Sequence, residues 1–389
     1  MSPHLAALRR EADEFVALRR DLHAHPELGL AEWRTAEVVA TRLERWGYTV
    51  TRGLAGTGVV GQLKRGRGTK RLGLRADMDA LPIHEASGKP WASVHDGVMH
   101  ACGHDGHTAI LLAAAKRLAW HGEFSGTLNL IFQPAEEHPG GAKIMIDEGL
   151  FERFPCDAVY AMHNMPGVES GRLVLRHGPA MASSDDVSIT LEGRGGHGAM
   201  PHRAADPVVA AAGIVMALQT IVSRNVDPQQ TAVVSVGALN AGRANNVIPQ
   251  TATLELSVRA LDAGVRDLLE ERIRALVAAQ AASFGVEARI DYRRDYPVLV
   301  NDREATDFAR RVALELLGDE GVTLQGPALN GSEDFAFMLD HCPGSYLLIG
   351  NGAGEASCVA HNPGYDFDDD NIAVGAAFWA LLAQRFLAD

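Results

Sequence analysis

Apolar side chains recur at helical spacing in the first part of the chain, and this pattern predicts amphipathic helices at residues 4–24 and 32–46. The first helix is expected to end near the stretch HAHPELG at 23–29, where a proline and a glycine interrupt the pattern. Gly47 follows the second helix and is expected to close it as a left-handed cap. The chain is therefore predicted to begin with two helices.

Short apolar runs farther along predict strands that are covered on both faces, as in a parallel sheet between helices. The clearest run is GTLNLIF at 126–132, which turn residues bound on both sides. Strands that alternate with helices favour a mostly parallel sheet with helices on both faces. The other elements predicted for this sheet are strands at 59–63, 71–76, 158–162 and 345–349 and helices at 110–121, 142–150, 304–317 and 371–387.

The pattern changes near residue 182. Residues 186–294 predict the order strand, helix, strand, strand, helix, strand, which is that of a ferredoxin-like split unit. Asp206, which a proline follows, and Asp262 are expected to cap the two helices, and Gly285 to close the second. This α+β unit is predicted to be a second domain that interrupts the first.

The length of the chain also favours two domains, because 389 residues exceed the size that one hydrophobic core usually serves. We predict that residues 1–182 and 296–389 form an α/β domain with a twisted, mostly parallel sheet. Residues 183–295 are predicted to form the inserted domain.

The chain is acidic, with 36 Lys+Arg against 49 Asp+Glu and a formal net charge of -13. This balance argues against nucleic acid or an anionic membrane as a partner, because both attract clustered positive charge. The first residues lack the apolar core of a signal peptide, and we expect no run of membrane-spanning length. Four cysteines in so long a chain do not make a disulfide framework. These features predict a cytoplasmic protein with reduced thiols.

Metal-ligating side chains are densest in the stretch MHACGHDGHT, which places His100, Cys102, His104, Asp105 and His107 just before a predicted helix. Thiolate and imidazole are the ligands that borderline divalent metals prefer. A polar loop, or a buried free cysteine with surface histidines, is the alternative interpretation. The stretch lacks the paired cysteine spacing of a structural zinc site, so a metal here would need ligands from elsewhere.

Further candidate ligands follow predicted strands, and ligands of α/β sheets bind beyond the carboxyl ends of the strands. Adjacent glutamates at one such end can have different roles. Glu137 can bind metal, while Glu136 stays uncoordinated and can transfer protons. Taken alone, this pair also fits a solvated acidic turn, and His163 or His361 fits a core histidine. The whole set is large enough for two metals that share a ligand: Asp77, Asp79, Cys102, His104, Glu136, Glu137, His163 and His361.

Seven motifs surround these residues: LRADMDALP (74–82), MHACGHDGHT (99–108), QPAEE (133–137), MHNMPG (162–167), GGHGAMPH (195–202), GSEDFAF (331–337) and HNPGYDF (361–367). Together they resemble the hippurate hydrolase family of metallo-amidohydrolases, which also holds the plant auxin-conjugate hydrolases and N-acetyl-diaminopimelate deacetylases. The resemblance covers nearly the whole chain, and the motifs are highly specific when taken together.

The resemblance implies a dinuclear metallopeptidase-like fold that binds two divalent metal ions per subunit, with Mn, Zn, Ni and Co as the candidates. It implies that Glu136 is the general base, and Asp79 is counted as a second catalytic candidate. Asp77 stands where many relatives in the wider superfamily have the histidine of a His-x-Asp motif, so we assign it no role. The implied metal ligands are Cys102, His104, Glu137, His163 and His361.

The family places a lid and dimerisation domain where the insertion lies, which implies a homodimer or a dimer of dimers. The lid histidine of the family matches His197, a candidate donor to the oxyanion, and in some relatives it enters the site from the partner subunit. Candidates for binding the substrate carboxylate are Asn246, Arg259 and the backbone around Gly331 and Ser332. Arg259 is equally consistent with a surface charge.

The implied reaction is metal-dependent hydrolysis of the amide bond in a small N-acyl amino acid such as hippurate, which releases a carboxylic acid and a free amino acid. An aminopeptidase or dipeptidase uses the same chemistry but needs a carboxylate for the free α-amine, and the sequence identifies none. Hydrolysis of N-acetyl-diaminopimelate or indole-acetyl amino acids is a further alternative. A sensor protein without catalysis would have lost the base or a ligand, and neither is lost.

Overall fold

The computed structural model describes residues 3–353 and 358–388. The chain folds into two compact units, the first formed by Met1–Gly178, Val300–Pro327 and Asp334–Asp389 and the second by Pro179–Leu299 and Ala328–Glu333. The first and second junctions therefore lie a few residues outside the predicted ends of the insertion.

The short segment 328–333 is the main departure from the predicted domain division, which placed it in the first domain. The backbone N–H of Ala182 donates to the carbonyl oxygens of Leu329 and Gly331, at 3.0 and 2.9 Å. These bonds hold the segment against the beginning of the second unit. Sequence adjacency alone gives no sign of such pairing, which is why the prediction missed it.

The first unit follows the predicted order of elements up to residue 174. They are α1 (Pro3–Ala24), α2 (Trp33–Arg45), β1 (Thr49–Leu54), β2 (Gly58–Arg65), β3 (Arg71–Asp77), α3 (His104–His121), β4 (Gly126–Gln133), α4 (Gly141–Asp147), α5 (Leu150–Arg153), β5 (Ala158–Met165) and β6 (Leu173–Val174). The prediction omitted the short elements α5 and β6. It also omitted β1, because most of the side chains of this strand are at least partly exposed and give no apolar run. Gly47 has a φ of 87°, which confirms the predicted left-handed cap.

The middle of the chain has the elements predicted for the insertion, with four short strands in addition. They are β7 (Gly178–Met181), β8 (Asp185–Glu192), β9 (Gly196–His197), α6 (Pro207–Asn225), β10 (Ala232–Ala241), β11 (Val247–Ile248), β12 (Thr251–Ala260), α7 (Ala263–Ser283), β13 (Glu287–Arg294) and β14 (Leu299–Asn301). Asp206 and Asp262 accept backbone N–H groups at the starts of α6 and α7, as predicted for caps.

The last part of the chain returns to the first unit and completes its sheet. Its elements are α8 (Arg303–Leu317), β15 (Val322–Thr323), α9 (Phe335–Leu339), β16 (Gly344–Gly350) and α10 (Asn371–Phe386). The strand order in the completed sheet is β1-β2-β4-β3-β5-β16-β6-β15. Because β16 pairs with β5, the end of the sequence returns to the middle of the sheet.

The centre of this sheet is parallel, as predicted, since β4, β3, β5 and β16 run in one direction. Antiparallel pairing occurs between β1 and β2, between β2 and β4, and between β16 and β6. The register of β3 and β4 pairs Asp77 with Gln133, so the carboxyl ends of these two strands are level. Helices α1, α3 and α10 pack together over fully buried Phe15, Leu111 and Phe378. The sheet thus presents several strand ends at one edge.

The second unit has the strand order β10-β12-β8-β13, with every neighbouring pair antiparallel. Its elements follow the predicted β-α-β-β-α-β order. Helices α6 and α7 pack against each other and against the sheet, over a core that includes Ile189, Ile214, Leu254 and Ile273.

Helix α6 contradicts the expectation that no run approaches membrane-spanning length. An 18-residue window within this 19-residue helix has a mean hydropathy of 1.5, so length and composition would allow it to cross a membrane. In the second unit its residues Ile214, Leu218 and Ile221 are buried in the core, whereas Val209 and Met216 are 51% and 73% exposed. A core helix of a soluble protein passes the same test of composition.

Candidate metal centre

The candidate site of the first unit lies where β3, β4 and β5 end. Asp77 ends β3, Gln133 ends β4, and His163 lies near the end of β5. Because these strands are parallel, their carboxyl ends meet at one edge of the sheet. Helix α3 begins at this edge with His104, the second ligand candidate of the Cys/His loop.

The Cys/His loop is fixed to strand β5 by close packing around a glycine. Gly103 has a φ of 89°, and a Cβ atom at this position would lie 2.4 Å from both Asn164 Nδ2 and the Tyr365 hydroxyl. The Asn164 side-chain amide donates to the carbonyl oxygen of Cys102 at 2.5 Å, and the Tyr365 hydroxyl donates to Asn164 Oδ1 at 2.7 Å. A side chain at Gly103 would push the loop away from these partners, so the motif needs glycine here.

The structure brings the predicted metal ligands into two groups that share Cys102. One group is Cys102, His104 and His163, and the other is Cys102, Glu137 and His361. Within each group the ligand atoms lie within 4.8 Å of one another. Cys102 Sγ is 3.3 Å from His163 Nε2, and His361 Nε2 is 2.9 Å from Glu137 Oε1. One thiol therefore lies within reach of two neighbouring three-ligand sites.

Hydrogen bonds orient two of the histidines. Nδ1 of His104 lies 3.1 Å from Asp79 Oδ1, and Nδ1 of His163 lies 2.6 Å from the carbonyl oxygen of Asn164. Since these acceptors require N–H at Nδ1, Nε2 is the nitrogen that carries the lone pair when each ring is neutral. His104 Nε2 is buried and has no hydrogen-bond partner among the described residues. A buried, unpartnered imidazole nitrogen next to a thiol is the donor that a divalent metal would satisfy.

Without a metal, the surroundings shift the pKa values of these side chains in different directions. Burial and the Glu137 carboxylate raise the pKa of Cys102, whereas burial and His107 lower that of His163. Hydrogen bonds to Cys102 and Glu137 raise the pKa of His361 to about 10. A dication bound between these side chains favours the thiolate and the neutral imidazoles instead. The donor set therefore suits divalent metal.

Glu136 lies beside these groups. It is buried, and its Oε2 atom is 4.0 Å from His104 Nε2. The residue before it, Ala135, has a φ of 52°, so the chain turns sharply between the end of β4 and the two glutamates. Both glutamates lie close to His104, and only Glu137 also belongs to the group that contains Cys102 and His361.

Asp79 and Asp77 have different surroundings. Asp79 Oδ1 is the partner of His104, and Asp79 Oδ2 accepts the backbone N–H of Glu137 at 3.0 Å. Asp79 therefore links two predicted ligands without belonging to any of the metal-binding groups among the described residues. This position suits a residue that orients ligands.

Asp77, His104 and His107 also lie close enough together to hold a metal. His107, however, has both ring nitrogens in use. Its Nε2 atom accepts the backbone N–H of Asn164 at 3.0 Å, so its Nδ1 donates to Asp77 Oδ1 at 2.6 Å. Asp77 also accepts from Arg75 at 2.6 Å. This third group is thus an internal hydrogen-bond network beneath the site.

Sequence reasoning missed the roles of Arg75, Asn164 and Tyr365. Each lies inside a quoted motif, next to a candidate ligand or in the same stretch. Arginine, asparagine and tyrosine carry no metal-ligand signature of their own, so only their burial beside the ligands identifies them. Buried Arg75 in a strand with apolar neighbours was the one available signal, because a buried charge requires a partner.

The predicted substrate-binding residues belong to the second unit and form two pairs there. His197 in β9 pairs with Val247 of β11, and Gly198 N–H donates to the carbonyl oxygen of Asn246 at 2.8 Å, so His197 and Asn246 are neighbours. Arg259 Nη1 donates to Ser332 Oγ at 2.9 Å, next to Gly331. His197 and Asn246 are exposed, whereas Arg259 and Ser332 are partly buried.

The sheet, the inserted unit and the Cys/His/Glu cluster together define a dinuclear metallohydrolase, and sequence comparison identifies its family. The sequence model of peptidase family M20/M25/M40 matches residues 73–385. The chain belongs to this family and is a hydrolase.

Individual relatives extend the likeness over almost the entire chain. Hippurate hydrolase of Campylobacter jejuni subsp. jejuni serotype O:2 is 48% identical, over 96% of this chain and 97% of the relative. N-acetyl-L-cysteine deacetylase of Bacillus subtilis is 37% identical, over 96% of this chain and 88% of the relative. The crystal structure of the Bacillus subtilis YXEP protein, a dinuclear metal binding peptidase from the M20 family, superimposes with a TM-score of 0.84. That protein is 33% identical, and the match covers 97% of this chain and 99% of that one.

Proposed function

We propose that the protein hydrolyses the amide bond of N-acyl amino acids, with hippurate-like compounds as the preferred class. The observation that carries the proposal is the pair of three-ligand groups that share Cys102, with Glu136 beside them. The identity of 48% to a hippurate hydrolase supports the aromatic acyl group. Relatives that include an N-acetyl-L-cysteine deacetylase and an IAA-amino acid hydrolase of Arabidopsis thaliana support the wider class of N-acyl amino acids.

The residues that would hold two divalent ions are Cys102, His104, Glu137, His163 and His361. When bound, such ions supply Lewis acidity, which polarises a carbonyl group and brings the pKa of a water molecule towards neutral. The mixed thiolate, imidazole and carboxylate set leaves Mn²⁺, Zn²⁺, Ni²⁺ and Co²⁺ as candidates. His104 is already oriented for this role by Asp79, and His163 by the carbonyl oxygen of Asn164.

Glu136 is the proposed general base. Its carboxylate accepts a proton from the attacking water while the new C–O bond forms at the amide carbon. As the C–N bond then breaks, Glu136 returns this proton to the nitrogen of the leaving amino acid. Glu136 can serve in this way because Glu137, and not Glu136, belongs to the group with Cys102 and His361.

The second unit supplies the proposed contacts to the substrate. Arg259, which Ser332 holds at 2.9 Å, is the proposed partner of the substrate carboxylate. The imidazole of His197 is the proposed donor to the oxyanion that develops on the amide oxygen. His197 Nδ1 accepts the backbone N–H of Ala199 at 3.1 Å, which leaves Nε2 with the proton that such a donor needs.

A substrate panel tests this proposal. Metal-reconstituted protein is assayed with hippurate, acetyl amino acids, indole-acetyl amino acids and an unblocked dipeptide, and the released amino acid is quantified. We expect the highest kcat/KM with hippurate and no turnover of the dipeptide. Preference for the dipeptide would identify an aminopeptidase or dipeptidase and contradict the proposal.

We further propose that the protein is a cytoplasmic homodimer, or a dimer of such dimers, assembled through the second unit. Val209 and Met216 leave an exposed apolar face on α6, and β10 and β13 are edge strands, so this unit has surface that a second copy would cover. Sedimentation at micromolar concentration tests the assembly. A fully active monomer would contradict it.

A further inference from the structure

The turn between α1 and α2 lies directly behind the loops that carry the site. The backbone N–H of Ala80, next to Asp79, donates to the carbonyl oxygen of Glu27 at 2.8 Å. Gly29 lies so close to the QPAEE loop that a Cβ atom there would be 3.0 Å from the Cβ of Ala135 and 2.7 Å from the carbonyl oxygen of His138. The turn and the loop are therefore in tight contact.

Glu32, at the end of this turn, directs its carboxylate into the same contact. It is 0% exposed. Its Oε1 atom accepts the backbone N–H of Ala135 at 2.8 Å, and its Oε2 atom accepts the Thr57 hydroxyl at 2.6 Å. A carboxyl group costs free energy to bury, so these two hydrogen bonds are needed to hold it there.

Ala135 is the residue whose backbone turns the chain from β4 into the two glutamates. Its φ of 52° is in the left-handed region, which residues with a side chain rarely adopt. Its carbonyl oxygen accepts from the N–H groups of Gly140 and Gly141, and its own N–H is held by Glu32. The direction in which the side chain of Glu136 leaves the backbone depends on this conformation.

We propose that Glu32 is a positioning residue for the general base: by accepting the Ala135 N–H it holds the left-handed turn that places Glu136. The inference rests on the proposed function of Glu136. Glu32 acts as a hydrogen-bond acceptor at a fixed distance from its own backbone. The length of its side chain therefore determines whether it reaches Ala135, whereas its charge is not required. Its expected effect is on kcat, compared at equal metal occupancy because the same turn also leads to Glu137, a proposed metal ligand.

Two near-isosteric substitutions separate length from charge. Glu32→Gln keeps the acceptor in place, and we expect kcat within about threefold of the wild type. Glu32→Asp keeps the charge but withdraws the carboxylate from Ala135 by one methylene, and we expect kcat to fall at least about tenfold with KM within about twofold. The matched control is Glu27→Asp, because Glu27 accepts the N–H groups of Arg34 and Thr35 in the same turn, away from Ala135. This control is expected to retain the wild-type kcat.

A second readout does not depend on activity. Hydrogen exchange of the Ala135 amide in metal-free protein should be slow in the wild type and in Glu32→Gln, and at least about tenfold faster in Glu32→Asp. Wild-type kcat and a protected amide in Glu32→Asp would overturn the inference, as would equal losses in both variants. If instead Glu136→Gln is fully active, the assignment of the base fails, whatever the exchange data show.

Discussion

His361 Nε2 lies 2.9 Å from Glu137 Oε1, although the two residues come from distant parts of the sequence. His361 has a φ of 65°, an uncommon backbone conformation for a residue with a side chain. Its backbone N–H donates to the carbonyl oxygen of Ala101 at 2.8 Å, which holds it beside the Cys/His loop. The second ligand group is therefore assembled only when the last segment of the chain has returned to the sheet.

Replacement of Cys102 by serine tests the shared ligand. Cys102 belongs to two ligand groups. One also contains His104 and His163, and the other also contains Glu137 and His361. Serine is a harder and weaker ligand, so Cys102→Ser should lower metal content and kcat together. Metal analysis beside the assay checks this, with Cys358→Ser as the control that should leave both unchanged. Two tightly held ions and full activity in Cys102→Ser would contradict the shared-ligand assignment.

Replacement of Glu136 by glutamine tests the base. Because Glu136 belongs to neither of the two ligand groups that contain Cys102, Glu136→Gln should retain both metals. Its kcat should fall at least about a hundredfold, the low end for loss of a general base. The variant is compared with wild type at equal metal occupancy. Near-normal turnover would mean that another residue moves the proton.

Arg259 should contribute mainly to recognition of the substrate carboxylate. Arg259→Ala should raise KM for hippurate at least about tenfold, because it removes a charge-assisted hydrogen bond. The control is hippuramide, in which the carboxylate is replaced by an amide, and its kcat/KM should change little. Equal losses for both compounds would show that Arg259 supports the fold of the second unit instead.

His23 should make the stability of the first unit depend on pH. Burial favours its neutral form, but Asp105 Oδ2 lies 2.8 Å from its Nδ1 and, with Glu85, raises its pKa from 6.5 to about 9. The folded state thus holds a proton that the unfolded state releases. The stabilisation is complete below pH 6.5 and is lost as the pH rises through about 9.

Urea unfolding of metal-free protein between these pH values measures this loss. The free energy of unfolding of the wild type should fall with rising pH more steeply than that of His23→Gln, because only the wild type loses the His23 proton. Identical slopes in the two proteins would show that His23 is neutral in the folded state.

The sequence was sufficient to predict the parts of the fold that local patterns encode. Asp206 and Asp262 mark the starts of α6 and α7, and the apolar run at 126–132 marks the buried strand β4. The ligand set could be predicted because cysteine, histidine and glutamate have chemistry of their own. Their grouping around Cys102 depends on the register of parallel strands and on loop packing, which the sequence does not display.

What the sequence could not reveal depends on contacts between distant residues. The role of Asp77 follows from its bonds to His107, which is distant in sequence, and to Arg75 on the same strand, and sequence spacing alone does not show that these three side chains are buried together. Strand β1 has too little apolar character to be recognised without its partner β2. The length of the apolar run in helix α6 was underestimated, because its apolar residues lie both in the core and on an exposed face.

A metal titration with hippurate as substrate measures how many bound ions per subunit catalysis requires. Metal-free protein is titrated with one divalent metal, and benzoate and glycine release are followed alongside bound metal. The two ligand groups around Cys102 predict that activity is absent without metal and reaches its plateau at two ions per subunit, with equal amounts of both products. Full activity without metal would contradict the metal-dependent reaction proposed here, and failure to cleave hippurate at two ions per subunit would contradict the proposed substrate.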